Sequence, residues 1–227
     1  MINALKLILS FDKELYFVVY TSLFVAFFST ILSSIIGVPL AYFVDLSKFK
    51  FKKIIISFLN SLVALPTVVV GLFVYSFLSR KGVFGFAGVL FTPIAIIIGQ
   101  TILGIPIITS IIISGFSKID SRLYETLTTL GANKFQLFVG ILRETKTIII
   151  SAILSGFGRI IGEVGVSMML GGNIRLYTRT LTTAIALETS KGEFSLALSM
   201  GIILLTLALI INFLAYLFIK KEDLWKR

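Results

Sequence analysis

The chain has 227 residues, of which 57% are hydrophobic and 14% charged. A soluble domain carries about 25% charged residues, so this composition excludes an ordinary cytosolic enzyme and a disordered chain. The net charge of +10 comes from 21 Lys and Arg against 11 Asp and Glu, and in so apolar a chain that surplus belongs to the membrane surface rather than to nucleic acid.

Missing residue types narrow the chemistry. The sequence has no cysteine and no histidine, which removes disulfides, thiol nucleophiles, and the commonest metal ligand and general base. No segment reads G-x-x-x-x-G-K-[ST], the loop that cradles nucleotide phosphates. No catalytic, cofactor or metal site is expected on the chain. Energy for any uphill task must then come from a partner or an ion gradient.

At the N-terminus, Met1–Phe11 has an apolar stretch, but Asp12 and Glu14 stand where a cleaved signal would carry small residues. A spanning helix needs about 20 apolar residues. The first such run is residues 16–44. The second, residues 54–79, contains Leu65-Pro66-Thr67. Pro66 loosens backbone hydrogen bonds and suits a hinge or gate, and Thr67 offers a neutral hydroxyl. Gly82, Gly85 and Gly88 then predict a glycine-rich loop leading into one helix, residues 89–116, bent or loosened around Gly104 and Pro106. That helix carries Gln100 and Thr101 as further neutral donors.

The interval 118–146 is the longest polar one. Asp120 or Ser121 is a suitable cap, and Leu123, Tyr124, Leu127 and Leu130 recur at helical spacing. Gly131 interrupts this piece, and a second short helix follows with Phe135, Phe138 and Leu142. The pair reads either as a connector on the membrane surface or as a docking surface for a soluble partner. The fourth span, residues 147–170, is apolar except for Arg159 and Glu163. Four residues apart, these two share a helix face and can pair. The pair reads first as structural, holding neighbouring helices, and second as an arginine that attracts an anion. Ser167 and Asn173 are additional neutral donors, and Gly71, Gly104, Gly162 and Gly165 allow close packing. Each also reads as glue between helices. The loop 171–193 carries Arg175, Arg179 and Lys191 with Glu188 and Glu193, and reads as a docking loop or a solvated one. Residues 194–219 form the fifth span.

Basic residues orient these spans. Thirteen of the 21 lie on the side of the 45–53 loop, the 118–146 loop and the C-terminal tail, seven lie on the other, and Arg159 is in a span. The richer side is cytoplasmic, so the N-terminus is outside and the C-terminus inside. A six-span division gives the same tally with the N-terminus inside. Both place 118–146 in the cytoplasm. The expected fold is an all-α membrane protein forming one transmembrane domain over residues 1–227.

Glu125-Thr126-Leu127, three residues, Gly131-Ala132, and Ile141 resemble the EAA signature of permease subunits of ABC importers. That signature reads E-A-A, three residues, G, nine residues, I-x-L-P. Thr126 and Leu127 replace the alanines, and Arg143-Glu144 stands where Leu-Pro would be. Leu65-Pro66-Thr67-Val68-Val69-Val70-Gly71 and Gly158-Arg159-Ile160-Ile161-Gly162-Glu163-Val164-Gly165, closed by Gly171-Gly172-Asn173-Ile174, are similar to segments of oxyanion importers. The Arg143-Glu144 departure fits the tungstate-type branch better than the molybdate or sulfate branches.

The resemblance implies a type I ABC importer-like permease, a multi-pass protein of a prokaryotic cell membrane in contact with lipid. It implies a homodimer, two cytoplasmic ATPase subunits that hold the ATP and Mg, and an extracytoplasmic substrate-binding protein. The loop bearing Glu125, Thr126, Leu127, Gly131, Ala132 and Ile141 would couple to the ATPase, with no cofactor or nucleic acid bound by the chain itself. Pro66, Thr67, Gln100, Ser167 and Asn173 are the candidates for the path or gate, and Arg159–Glu163 for the intramembrane ion pair. Two other classes stay open on residues alone: a channel or secondary transporter that needs no partner, and a structural membrane anchor. The chain lacks the internal repeat common in secondary transporters, and an anchor leaves the Glu, Gly and Ile spacing unexplained.

Overall fold

The computed structural model describes residues 13–46, 50–116 and 122–225, and every element among them is helical. In chain order these are α1 (Lys13–Leu46), α2 (Lys52–Val63), α3 (Thr67–Leu78), a single 3-10 turn (Gly85–Ala87) and α4 (Pro93–Phe116). There follow α5 (Arg122–Thr129), α6 (Lys134–Glu144), α7 (Lys146–Ile161), α8 (Gly165–Gly171), α9 (Leu181–Ser190) and α10 (Phe194–Trp225). The N-terminal stretch Met1–Phe11 and the proposed caps Asp120 and Ser121 lie outside the described residues.

Helix α4 is the hub, packed against α1, α2, α3, α7 and α8. Lipid tails are as apolar as leucine, so helices in a membrane associate through close packing and hydrogen bonds rather than through hydrophobic transfer. The α1–α4 seam follows that rule. Ser29, Ser33 and Gly37 recur every fourth residue on α1 and meet Gln100, Thr101, Gly104 and Thr109 on α4. Ser33 Oγ donates to the Thr101 carbonyl at 3.1 Å, and Thr109 Oγ1 to the Gly37 carbonyl at 3.3 Å. On the other side of α4, Gly99 receives Val166 and Leu170 of α8. Ile96, Ile108 and Ile112 are fully buried.

Three helices are long and apolar enough to span a membrane: α1, α4 and α10. Two further candidates are bent pairs, α2–α3 at 95° and α7–α8 at 61°, which gives three to five spans. The runs 54–79 and 147–170, each read as one span, are both broken into two helices, the first at the hinge expected at Pro66. In the first, Pro66 has no amide to donate and disfavours helical backbone at the residue before it. It becomes the extended residue in front of α3. In the second, helix α7 ends at Ile161 with Gly162 as its cap, and α8 starts at Gly165, whose amide donates to the Glu163 side chain. The loosening expected around Gly104 and Pro106 does not interrupt α4, which is helical across both. The glycine-rich loop is present, and the third long helix begins at Pro93 rather than at residue 89.

A buried cluster of Ala41, Tyr42, Ile108, Ile112, Phe116, Ile141 and Ala152 ties α1, α4, α6 and α7 together. Ile141 is the α6 residue in it, with Leu127 of α5 and Phe138 of α6 packed at its margin. The ring of Phe138 meets Tyr42 edge-on, centroids 4.8 Å apart. The α5–α6 hairpin is therefore fastened to the spanning helices rather than hung on a loose loop.

Candidate coupling surface and intramembrane cleft

Helix α5 ends in a glycine turn. Gly131 has φ +80°, its amide donates to the Thr128 carbonyl at 3.0 Å, and the Ala132 amide donates to the Leu127 carbonyl at 3.1 Å. These two bonds are the pattern of a helix closed by a left-handed residue. The space where a Gly131 Cβ would sit is open. Glycine is needed for its backbone angle, not to avoid a clash. The next helix starts in a reciprocal cap: Asn133 Oδ1 accepts from the Gln136 amide at 2.9 Å, and Gln136 Oε1 from the Asn133 amide at 2.9 Å. This cap went unread, although N-x-x-Q before an apolar run signals it.

The hairpin turns two kinds of residue in two directions. Leu127 and Ala132 are half-buried and Ile141 is buried. Glu125 and Thr126 are exposed, as are Tyr124, Leu130 and Phe135, the last two at 78% and 72%. Among the described residues the Glu125 carboxylate makes no ion pair. Gly131→Ala should cost about 1–2 kcal/mol, the penalty of placing a Cβ in left-handed backbone. Hydrogen exchange is expected to accelerate in amides 122–144 and to be unchanged in α4; equal protection in both proteins would refute the turn assignment.

The second site lies inside the helical body, where the two bent pairs meet beside α4. A narrow cleft there is lined by Leu65, Thr67, Gln100, Leu103, Arg159 and Glu163 among others, with about 10 Å³ of free space. That is roughly the room for one water, too little for a tetrahedral oxyanion. The breaks touch directly: a Cβ on Gly165 would sit 2.8 Å from Thr67 Oγ1 and 3.0 Å from the Val68 nitrogen. Only glycine fits between the start of α3 and the start of α8.

Arg159 and Glu163 pair as their spacing predicted, with Nη1 donating to Oε2 at 3.0 Å. Their surroundings are unequal. The glutamate side chain is 4% exposed and the arginine 52%. Glu163 Oε1 also accepts from the Gly165 amide at 2.9 Å and, more weakly, from the Val166 amide at 3.4 Å. The carboxylate is thus the lid on the first turn of α8, a role that spacing alone does not disclose.

The neutral candidates fall into separate places. Pro66 sits at the break and Thr67 lines the cleft. Gln100 also lines it, but its amide is committed: Oε1 accepts from Ser29 Oγ at 3.1 Å, and Nε2 donates to Ser167 Oγ at 3.2 Å. Ser167 Oγ and Thr182 Oγ1 both donate to the Glu163 carbonyl, at 3.1 and 2.9 Å. This buried chain of bonds stitches α1, α4, α8 and α9 together. Asn173 lies away from the cleft, in the turn between α8 and α9, with φ +52° and a long bond from Nδ2 to the Thr183 carbonyl. Arg175 and Arg179, read as docking or solvated residues, both close on Glu14 of α1, at 2.6 and 2.9 Å.

Comparison with known proteins agrees with this architecture. The family model for binding-protein-dependent transport system inner membrane components matches residues 33–223. The chain is 37% identical to the tungstate uptake system permease protein TupB of Peptoclostridium acidaminophilum, across 94% of this chain and 93% of that one. It is 34% identical to the TupB of Campylobacter jejuni, across 94% and 90%. A chain of a bacterial alginate ABC transporter, solved in complex with an alginate pentasaccharide-bound periplasmic protein, superposes with a TM-score of 0.74. At 19% identity, covering 92% of this chain and 79% of that one, that likeness is one of fold. The hairpin on a packed helical body, the broken spans and the match over most of the chain lead to one statement: this is a multi-pass membrane protein belonging to the family of binding-protein-dependent transport system inner membrane components.

Proposed function

We propose that the chain is the permease of a tungstate importer driven by ATP hydrolysed on separate subunits. Two copies would form the membrane unit, with two cytoplasmic ATPases carrying the ATP and Mg and a binding protein delivering the anion from outside. The observation that carries the coupling role is the α5–α6 hairpin. It exposes Tyr124, Glu125, Leu130 and Phe135 while anchoring through Ile141 to the core of α1, α4 and α7. A partner that pushes on the exposed face moves the buried one. The excess of basic residues on this side supports placing it in the cytoplasm. The substrate rests on the named tungstate permeases, 37% and 34% identical over 94% of the chain. Pro66 and Thr67, at the break beside the cleft, form the constriction in this reading, whereas Gln100 and Ser167 hold the helices around it and Asn173 shapes the α8–α9 turn.

The test is reconstitution of the permease with its ATPase and binding protein in liposomes, with internal tungsten counted by elemental mass spectrometry. Uptake is expected only with ATP and binding protein, with molybdate and sulfate competing more weakly. Leu130→Asp with Glu125→Arg is expected to reduce ATPase recruitment at least tenfold and to leave the fold intact, because both side chains are exposed. Uptake by the permease alone, without ATP, would establish a partner-free channel instead.

A further inference from the structure

We infer that Arg159 is an anion-handling residue on the transport path, and that Glu163 sets how tightly it holds. The inference rests on the proposed oxyanion transport and assigns the contact within it. A charge inside a membrane-spanning segment is costly and normally faces protein or a water-filled space. The two members of this pair solve the problem differently. Glu163 is buried and keeps two backbone donors of α8, so it stays solvated by protein even without the arginine. Arg159 borders the cleft, its side chain is half-exposed, and it spends one nitrogen, Nη1, on Glu163. Its Nε and Nη2 take no partner among the described residues. The Thr67 hydroxyl, lining the same cleft from the facing break, takes none either.

A tetrahedral dianion needs several donors at modest strength. Three donor atoms are available here, two guanidinium nitrogens and one hydroxyl oxygen, contributed by the two bent pairs. A lone, fully charged arginine would trap a dianion, and conduction needs contacts weak enough to release it. Glu163 supplies the weakening, since it already neutralises part of the guanidinium charge and competes for it after the anion leaves. The pair is therefore a return spring for a cation that swings between a fixed carboxylate and a passing anion. The present cleft is too small for that anion, so the contact belongs to a state in which the two breaks have moved apart.

The experiment uses the complete complex in lipid nanodiscs and liposomes. Tungstate retained without binding protein is measured by equilibrium dialysis, and uptake and ATP hydrolysis are measured with it. Glu163→Gln keeps the oxygen that caps α8 and removes the competing charge. It is expected to retain more tungstate than the wild type while transporting more slowly. Arg159→Gln should lower retention and uptake by roughly ten- to hundredfold, the loss of charge-assisted hydrogen bonds, while loaded binding protein still stimulates hydrolysis. In the double variant Arg159→Gln with Glu163→Gln no buried charge lacks a partner, and uptake is still expected to stay low.

Recovery of uptake in the double variant would overturn the inference, because Arg159 would then serve only to neutralise Glu163. Should Arg159→Gln fail to assemble, Thr67→Val and Glu163→Gln decide. Unchanged retention in both overturns the inference, and opposite changes, lower in Thr67→Val and higher in Glu163→Gln, support it. A wild-type complex that imports no tungstate defeats the proposed function itself, whereas normal import by Arg159→Gln defeats only the role given to this residue.

Discussion

Gly104→Val is expected to prevent recovery of folded permease, and Gly104→Ala to lower its thermal stability by several degrees. A Cβ at this position would lie 2.3 Å from Ser33 Oγ and 2.8 Å from Ile160 Cδ1. Ser33 cannot simply rotate away, because its hydroxyl holds the Thr101 carbonyl across the α1–α4 seam. The methyl group must therefore push two helices off α4 at once. Inserting carbon into a full interior costs about 1–3 kcal/mol, which in a chain of this size lowers Tm by roughly 2–12 °C. Valine adds two more methyl groups with no room for either. Gly158 is the control: it lies in α7 with nothing near its Cβ position. Gly158→Ala should be neutral or stabilising by up to about 1 kcal/mol, the ordinary helix-propensity gain. Thermal inactivation in detergent, followed by size-exclusion chromatography, compares the two. Equal behaviour of Gly104→Ala and Gly158→Ala would show that the α1–α4 contact is not as tight as drawn.

Glu163→Ala should cost about 2–4 kcal/mol, from the lost cap and the lost charge-assisted bonds together. The arginine contributes the smaller share. It is half-exposed, and a pair with one solvated partner is worth little. The larger loss is on the other carboxylate oxygen, where the Gly165 and Val166 amides would be left without an acceptor in the protein interior. Glu163→Gln should thus recover most of the stability that Glu163→Ala loses, because an amide oxygen can still cap α8. Proteolysis within α8 and thermal inactivation are the readouts. If glutamine and alanine destabilise equally, the ion pair and not the cap holds this helix in place.

These two residues also mark where a sequence stops being legible. Glu163 and Arg159 were visible as a pair because four residues of helix fix their spacing. The cap was not, since it exists only once the chain breaks at Gly162 and α8 leaves at 61°. Gly104 was read as permitting close approach or a bend in its own helix. Its neighbours, Ser33 and Ile160, are 71 residues before it and 56 after it in the sequence, and no local pattern names them. Gln100 and Ser167 read either as donors for an anion or as glue between helices. Their groups turned out to satisfy each other and Ser29, because a buried polar group in a helical interior must find a partner wherever one is within reach.

By contrast, the two short helices of the α5–α6 hairpin and the glycine turn between them are legible in the sequence, although the Asn133–Gln136 cap was missed. Its helices are short, its glycine turn is set by local backbone angles, and its buried residues follow a helical period. The clasp of Arg175 and Arg179 on Glu14 lies at the opposite extreme. It joins residues more than 160 positions apart, and those arginines had read equally well as solvent-facing.

By itself the sequence determined that this is a helical membrane protein and where its apolar runs lie. Each of these follows from composition or from spacing within about 20 residues, the length over which a helix and a lipid bilayer impose their own rules. Only the tertiary structure decided which small residues form seams, which donors are consumed, and that the two bent pairs bring Thr67, Arg159 and Glu163 to one cleft. Those outcomes depend on contacts between helices, and the energy of a contact is settled by the shape of both partners, not by either sequence segment alone.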